Sequence, residues 1–160
     1  MAVGAAPREV YRIAADMERL GEALYSSLAE GAADPSIEEL YRKLAEEERE
    51  HRELMEERAA AMEDVVPGQG YRYDPERAMA LLRGYRSIFD EDRLQFELER
   101  NSSPPAVLDF AIRREMDSIM FYHEAMDMVP QMSRKALRRI IEQEREHFGS
   151  LSKLRESLED

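Results

Sequence analysis

The chain has 160 residues, a formal net charge of −12, three His and no Cys. That length makes one domain with a real core, and the acidic balance repels nucleic acid and anionic membrane surfaces. The lack of thiols excludes disulfides, thiol nucleophiles, Fe–S clusters and thiolate zinc sites, which leaves carboxylates and three imidazoles as the strong metal ligands. No apolar run is long enough to span a bilayer, and no basic start with an apolar stretch marks Met1–Arg8 as a secretory signal, so a cytoplasmic location is expected.

Val and Ile are sparse, Thr is absent, and Ala, Leu, Glu, Arg and Met dominate, which predicts an all-α protein. The seven prolines act as punctuation, because Pro suits a first helical turn and disrupts helix interiors. A first helix is predicted over about 7–31, closed by Gly31, and a second over about 35–64, behind Asp34 as N-cap. The connector 65–103 opens with a loop, Val65–Tyr73, holding Pro67, Gly68 and Gly70, and continues as two short helices within Pro75–Arg100, broken near Gly84. A third long helix follows Pro104–Pro105 over about 104–128, and a fourth covers about 132–158. The connector residues Leu81, Leu82, Ile88 and Phe89 offer apolar surface for self-association, so a homo-oligomer, at its simplest a dimer, is expected.

Two segments repeat. Glu46–His51 reads EEEREH and Glu142–His147 reads EQEREH, and each follows a helix in which a Glu precedes a Tyr by two turns: Glu18 and Tyr25, then Glu115 and Tyr122. In the fourth long helix the apolar stripe Leu137, Ile140, Glu144, His147, Leu151, Leu154, Leu158 steps by alternating threes and fours, which traces one packed face. The second repeats it as Ile37, Leu40, Leu44, Glu48, His51, Met55. Glu18 sits among Ala14, Gly21 and Tyr25, and Glu115 among Ala111, Ile112, Ile119 and Tyr122. Each hairpin also brings its two glutamates level, both pairs standing roughly 21–23 Å from their turns at about 1.5 Å rise per residue. The expected architecture is therefore a single domain over 1–160, a four-helix bundle of two helical hairpins in which Glu18, Glu48, His51, Glu115, Glu144 and His147 converge.

Four ionised glutamates in a dry core cost several kcal/mol each unless compensated. Two divalent cations would balance them, with the imidazoles as neutral ligands, and a Glu from each of two helices plus Glu-x-x-His from each of the others is a known bundle arrangement for two metals. Oxygen and imidazole donors without thiolate suit iron or manganese, with zinc a substitute in vitro. The bland alternative for one Glu-x-x-His is a solvated charged face; two copies in phase with an apolar seam favour the metal. Glu46, Glu47, Glu50, Glu142 and Glu146 fall off the seam and read as surface charge. Tyr25 and Tyr122 either hydrogen-bond the site from behind or fill core volume. His123 has no counterpart in the repeat and reads as surface or partly buried, while Met55, Met62, Met120 and Met126 read as core fillers.

The strings ERLGEALYSSLAE, LAEEEREHREL, AIRREMDSIMFY and IIEQEREHFGSL resemble the rubrerythrin branch of the ferritin-like superfamily over nearly the whole chain. The resemblance implies a di-iron carboxylate centre at the six positions, Glu48 and Glu144 as bridging ligands, and reaction of the reduced centre with peroxide or dioxygen. Three features depart from it. There is no Cys for a rubredoxin iron site, so electrons would come from an external donor protein. Ser118 stands where rubrerythrins carry an additional glutamate that assists redox-linked movement of the iron, and the link from His51 to Glu115 is longer, as in a group of rubrerythrin-like proteins. Bacterioferritin shares the six-ligand pattern, but its haem-binding Met is replaced here by Arg49, so no haem is expected. Three functions follow as expectations: an oxidoreductase acting on peroxide or dioxygen, a ferroxidase that stores or delivers iron, and a structural metal site without turnover.

Overall fold

The computed structural model describes residues 5–62, 80–81, 84–85, 90–100 and 103–159. Five α-helices and a 3-10 turn are found among them: α1 Ala5–Gly31, α2 Pro35–Ala61, α3 Glu91–Arg100, α4 Pro104–Ala125 and α5 Arg134–Ser157, with the 3-10 turn at Gln131–Ser133. No strand occurs among the described residues, and the all-α class expected of a ferritin-like bundle fits what they show. The expected 65–73 loop and most of the short helix expected after Pro75 lie outside the described residues. The chain divides into two compact units, one carrying α1 and α2, the other α3, α4 and α5.

In the first unit α2 starts where the sequence marks it. Asp34 caps the helix by accepting from the Ser36 backbone N–H at 2.7 Å and from Ile37 at 3.4 Å, while Pro35 occupies the first turn, where no N–H is needed. The Ser36 hydroxyl donates to the same carboxylate, and these bonds hold Asp34 below the usual carboxylate range. α2 packs against α1 as an antiparallel hairpin. The cross-links run in opposite order along the two helices: Arg8 donates to the Met62 carbonyl at 3.2 Å, Arg19 pairs with Glu56 at 3.1 Å, and Glu22 accepts from Arg52 at 2.8 Å. Val10, Ile13, Ala14, Met17, Leu24 and Tyr25 of α1 and Tyr41, Leu44 and Met55 of α2 are buried. Their loss of contact with water supplies most of what holds such a hairpin, since isolated helices are marginal in water.

In the second unit α4 begins behind Ser103, whose hydroxyl accepts from Ala106 N–H at 3.4 Å, with Pro104 and Pro105 in its first turn. α5 does not start at Met132. Pro130 turns the chain, the Ser133 N–H bonds the Pro130 carbonyl at 2.9 Å, and the helix grows out of this 3-10 turn because Ser133 makes no side-chain cap. α4 packs on α5, tied by Arg155 to Asp109 at 2.9 Å. Two expectations fail here. Leu158, the last position of the predicted seam, lies just beyond the end of α5 and is exposed, and Met120 is 59% exposed rather than in the core. Met55 is buried, and Met62 and Met126 are partly so.

Candidate metal centre

Each unit gathers one half of the residues singled out from the sequence. In the first, Glu18 comes from α1 and Glu48 and His51 from α2, one turn apart and therefore on one face. The His51 Nδ1 lies 3.7 Å from Glu18 Oε2 and 3.8 Å from Glu48 Oε2. In the second, Glu115 comes from α4 and Glu144 and His147 from α5; His147 Nδ1 lies 3.6 Å from Glu115 Oε2 and 3.9 Å from Glu144 Oε1. All six side chains are buried, none of the residues more than 3% exposed. Within each triad every residue offers a ligand atom within 4.8 Å of the others. A cation bonded at about 2.1 Å to two donors spans roughly 4.2 Å, and the four His–Glu separations, 3.6–3.9 Å, fall inside that span.

Burial of so many acids makes their charge the dominant energetic question. Desolvation, then the charge of Glu48 and a hydrogen bond with it, push Glu18 up to about 8, against a smaller opposing pull from His51. Glu18 therefore holds a proton in the folded chain at a pH where it would be ionised in the unfolded one. The sign follows: this group favours folding below its unfolded value of 4.5, and that contribution is lost as pH rises through about 8. We expect the stability of chelator-treated protein to fall as pH is raised across this window. The Glu18→Gln variant should show a flatter pH profile by thermal unfolding; an unchanged slope would contradict the assignment of the shift to Glu18.

The donor set fits metal. Oxygen and imidazole donors, with no thiolate available anywhere in the chain, match the preferences of iron or manganese. The Glu48 carboxylate also lies close against α1: a Cβ built on Gly21 would stand 3.2 Å from its Cδ and 3.3 Å from its Cγ and Oε2. That contact escaped the sequence reading; a glycine inside a long helical pattern, where it is costly, was the signal available.

Around the triads the roles separate. Tyr25 is buried and stacks on Tyr41, with ring centroids 6.4 Å apart and planes 16° from parallel. Tyr122 is buried edge-on to Phe121 at 5.5 Å. Glu46 and Glu53 pair with Arg49, Glu47 stands 3.8 Å from Lys43, and Glu50, Glu142 and Glu146 are exposed, as surface charge should be. His123 is exposed, its Nε2 3.5 Å from Arg145 Nη2. Ser118 is buried on the face of α4 that carries Glu115.

No curated protein and no solved structure matches the chain. The family model described as Rubrerythrin matches residues 9–77, a stretch that contains Glu18, Glu48 and His51.

Proposed function

From a chain that is rubrerythrin-like over residues 9–77, we propose a di-iron carboxylate protein that reduces peroxide or reacts with dioxygen, using electrons from a separate donor protein. The two hairpins would form one ferritin-like domain, and their triads would serve one two-metal centre. The observation that carries this reading is the pair of buried Glu, Glu, His triads built from one repeated pattern, one per hairpin.

The family match reaches only the first triad; the second enters through the repeat, since Glu115, Glu144 and His147 reproduce its residue types, spacing and burial. When bound, iron supplies the two electrons that, with two protons, convert one peroxide molecule to two waters. The chain's own part is to hold the donors and exclude bulk water. The linked pairs Arg19–Glu56, Arg52–Glu56 and Arg52–Glu22 tie α1 to α2 beside the triad and help to hold Glu18 level with Glu48. Glu18 gives up its proton as a cation enters, which makes uptake proton-releasing.

The test is anaerobic loading with Fe(II) followed by one equivalent of hydrogen peroxide, monitored by absorption and by iron content. Rapid oxidation with no growth of an iron core is expected. Accumulation of many irons per chain would replace the reading with storage, and loaded protein inert to both peroxide and dioxygen would leave only a structural metal.

A further inference from the structure

The repeat places a small residue three positions after each hairpin's first glutamate: Gly21 after Glu18 and Ser118 after Glu115, both buried. In the first hairpin the missing side chain has a use. A Cβ at Gly21 would meet three atoms of the Glu48 side chain at 3.2–3.3 Å, closer than such contacts ordinarily run, and its neighbour is a carboxylate rather than solvent. Gly149, inside α5, is the contrast: a Cβ there would meet nothing within 4 Å. Glycine inside a helix costs stability relative to alanine. At position 21 that cost coincides with a ligand-type carboxylate lying 3.2–3.3 Å from where the methyl would be.

We propose that Gly21 is a positioning residue: its bare Cα forms the seat against which the Glu48 carboxylate lies, and this seat fixes where Glu48 presents its oxygens. The proposal rests on the two-metal reading above and adds to it a residue that touches no metal. Ser118, which carries a Cβ, stands at the equivalent place in α4, so the bare-Cα seat is particular to the first hairpin.

The experiment compares Gly21→Ala with Gly149→Ala in the full chain, each with and without Glu48→Ala. Chelator-treated protein is melted, and Co(II) alone serves as the binding and spectroscopic probe. Gly149→Ala should raise the melting temperature, as a helix-interior glycine replacement does, and leave Co(II) binding unchanged. Gly21→Ala should fall short of that gain, and the shortfall should disappear in the Glu48→Ala background, because the contact is then gone. Co(II) affinity of Gly21→Ala should drop about 10-fold or more, with an altered absorption band, the size of effect that displaced supports of metal ligands produce. Should Gly21→Ala alone not fold, recovery in the Glu48→Ala background reads the same contact. A Gly21→Ala protein that gains as much as Gly149→Ala and binds Co(II) as the original chain does would overturn the proposal while leaving the metal reading intact. An original chain that takes up no Co(II) would overturn both.

Discussion

Glu48→Ala and Glu144→Ala should each lower metal affinity about 100-fold or more, leaving protein purified under the same conditions with far less than its full complement of about two ions. The argument is electrostatic before it is geometric. In the proposed centre two divalent cations would balance four carboxylates, and removing one carboxylate would leave uncompensated positive charge among buried groups. The alanine also opens a cavity, but that cost acts on stability with or without metal, so the metal-specific loss can be read separately. In the first hairpin a second effect follows. Glu48 contributes to the raised Glu18 value through its charge and a hydrogen bond, so in Glu48→Ala the pH profile of chelator-treated protein should flatten as well. Metal analysis after anaerobic purification is the check. Retention of full occupancy in both variants would remove these glutamates from the ligand set.

Chelation should lower the melting temperature by on the order of 10 °C at neutral pH. A ligand present at about 1,000 times its dissociation constant stabilises the folded state by roughly 4 kcal/mol, and a chain of this size shifts by about 2–4 °C per kcal/mol. The shift should widen as pH rises. Loaded protein gains from higher pH because protons then compete less for the carboxylates and imidazoles. Chelator-treated protein loses, because Glu18 must ionise in a buried position as pH climbs through about 8. The two curves therefore diverge from about pH 4.5 up to about 8. Differential scanning calorimetry with and without chelator decides it. Equal melting temperatures at all pH values would mean that the buried acids are compensated without a cation.

Both triads were legible in the sequence because they interrupt an apolar seam in phase with it. Glu48 and His51 continue the series through Leu44 and Met55, and Glu144 and His147 continue that through Ile140 and Leu151; all of these are buried. Helix starts were legible where chemistry marks them, at Asp34–Pro35 and Pro104–Pro105. The start of α5 was not, since Ser133 resembles a cap by type yet makes no cap bond, and the turn is set by Pro130 instead. Met120 was misplaced because apolar character was counted without phase. Met116 and Met120 stand one and five positions after Glu115, and at about 100° per residue both turn away from the face of Ala111, Glu115, Ser118 and Tyr122. Leu158 follows the seam's rhythm but falls past the last helical residue, where rhythm no longer confers burial. For Gly21 and Tyr41 the sequence could mark at most a residue out of pattern, not its role. Their importance lies in what the facing helix brings to them, Glu48 in one case and Tyr25 in the other, and that is a tertiary fact.

Loading the chain with about two equivalents of Mn(II) and recording its EPR spectrum tests most directly whether the two triads serve one centre. An exchange-coupled pair signal, lost in Glu48→Ala and in Glu144→Ala alike, is the predicted result. The spectrum of isolated, uncoupled Mn(II) ions at full occupancy would contradict a shared centre.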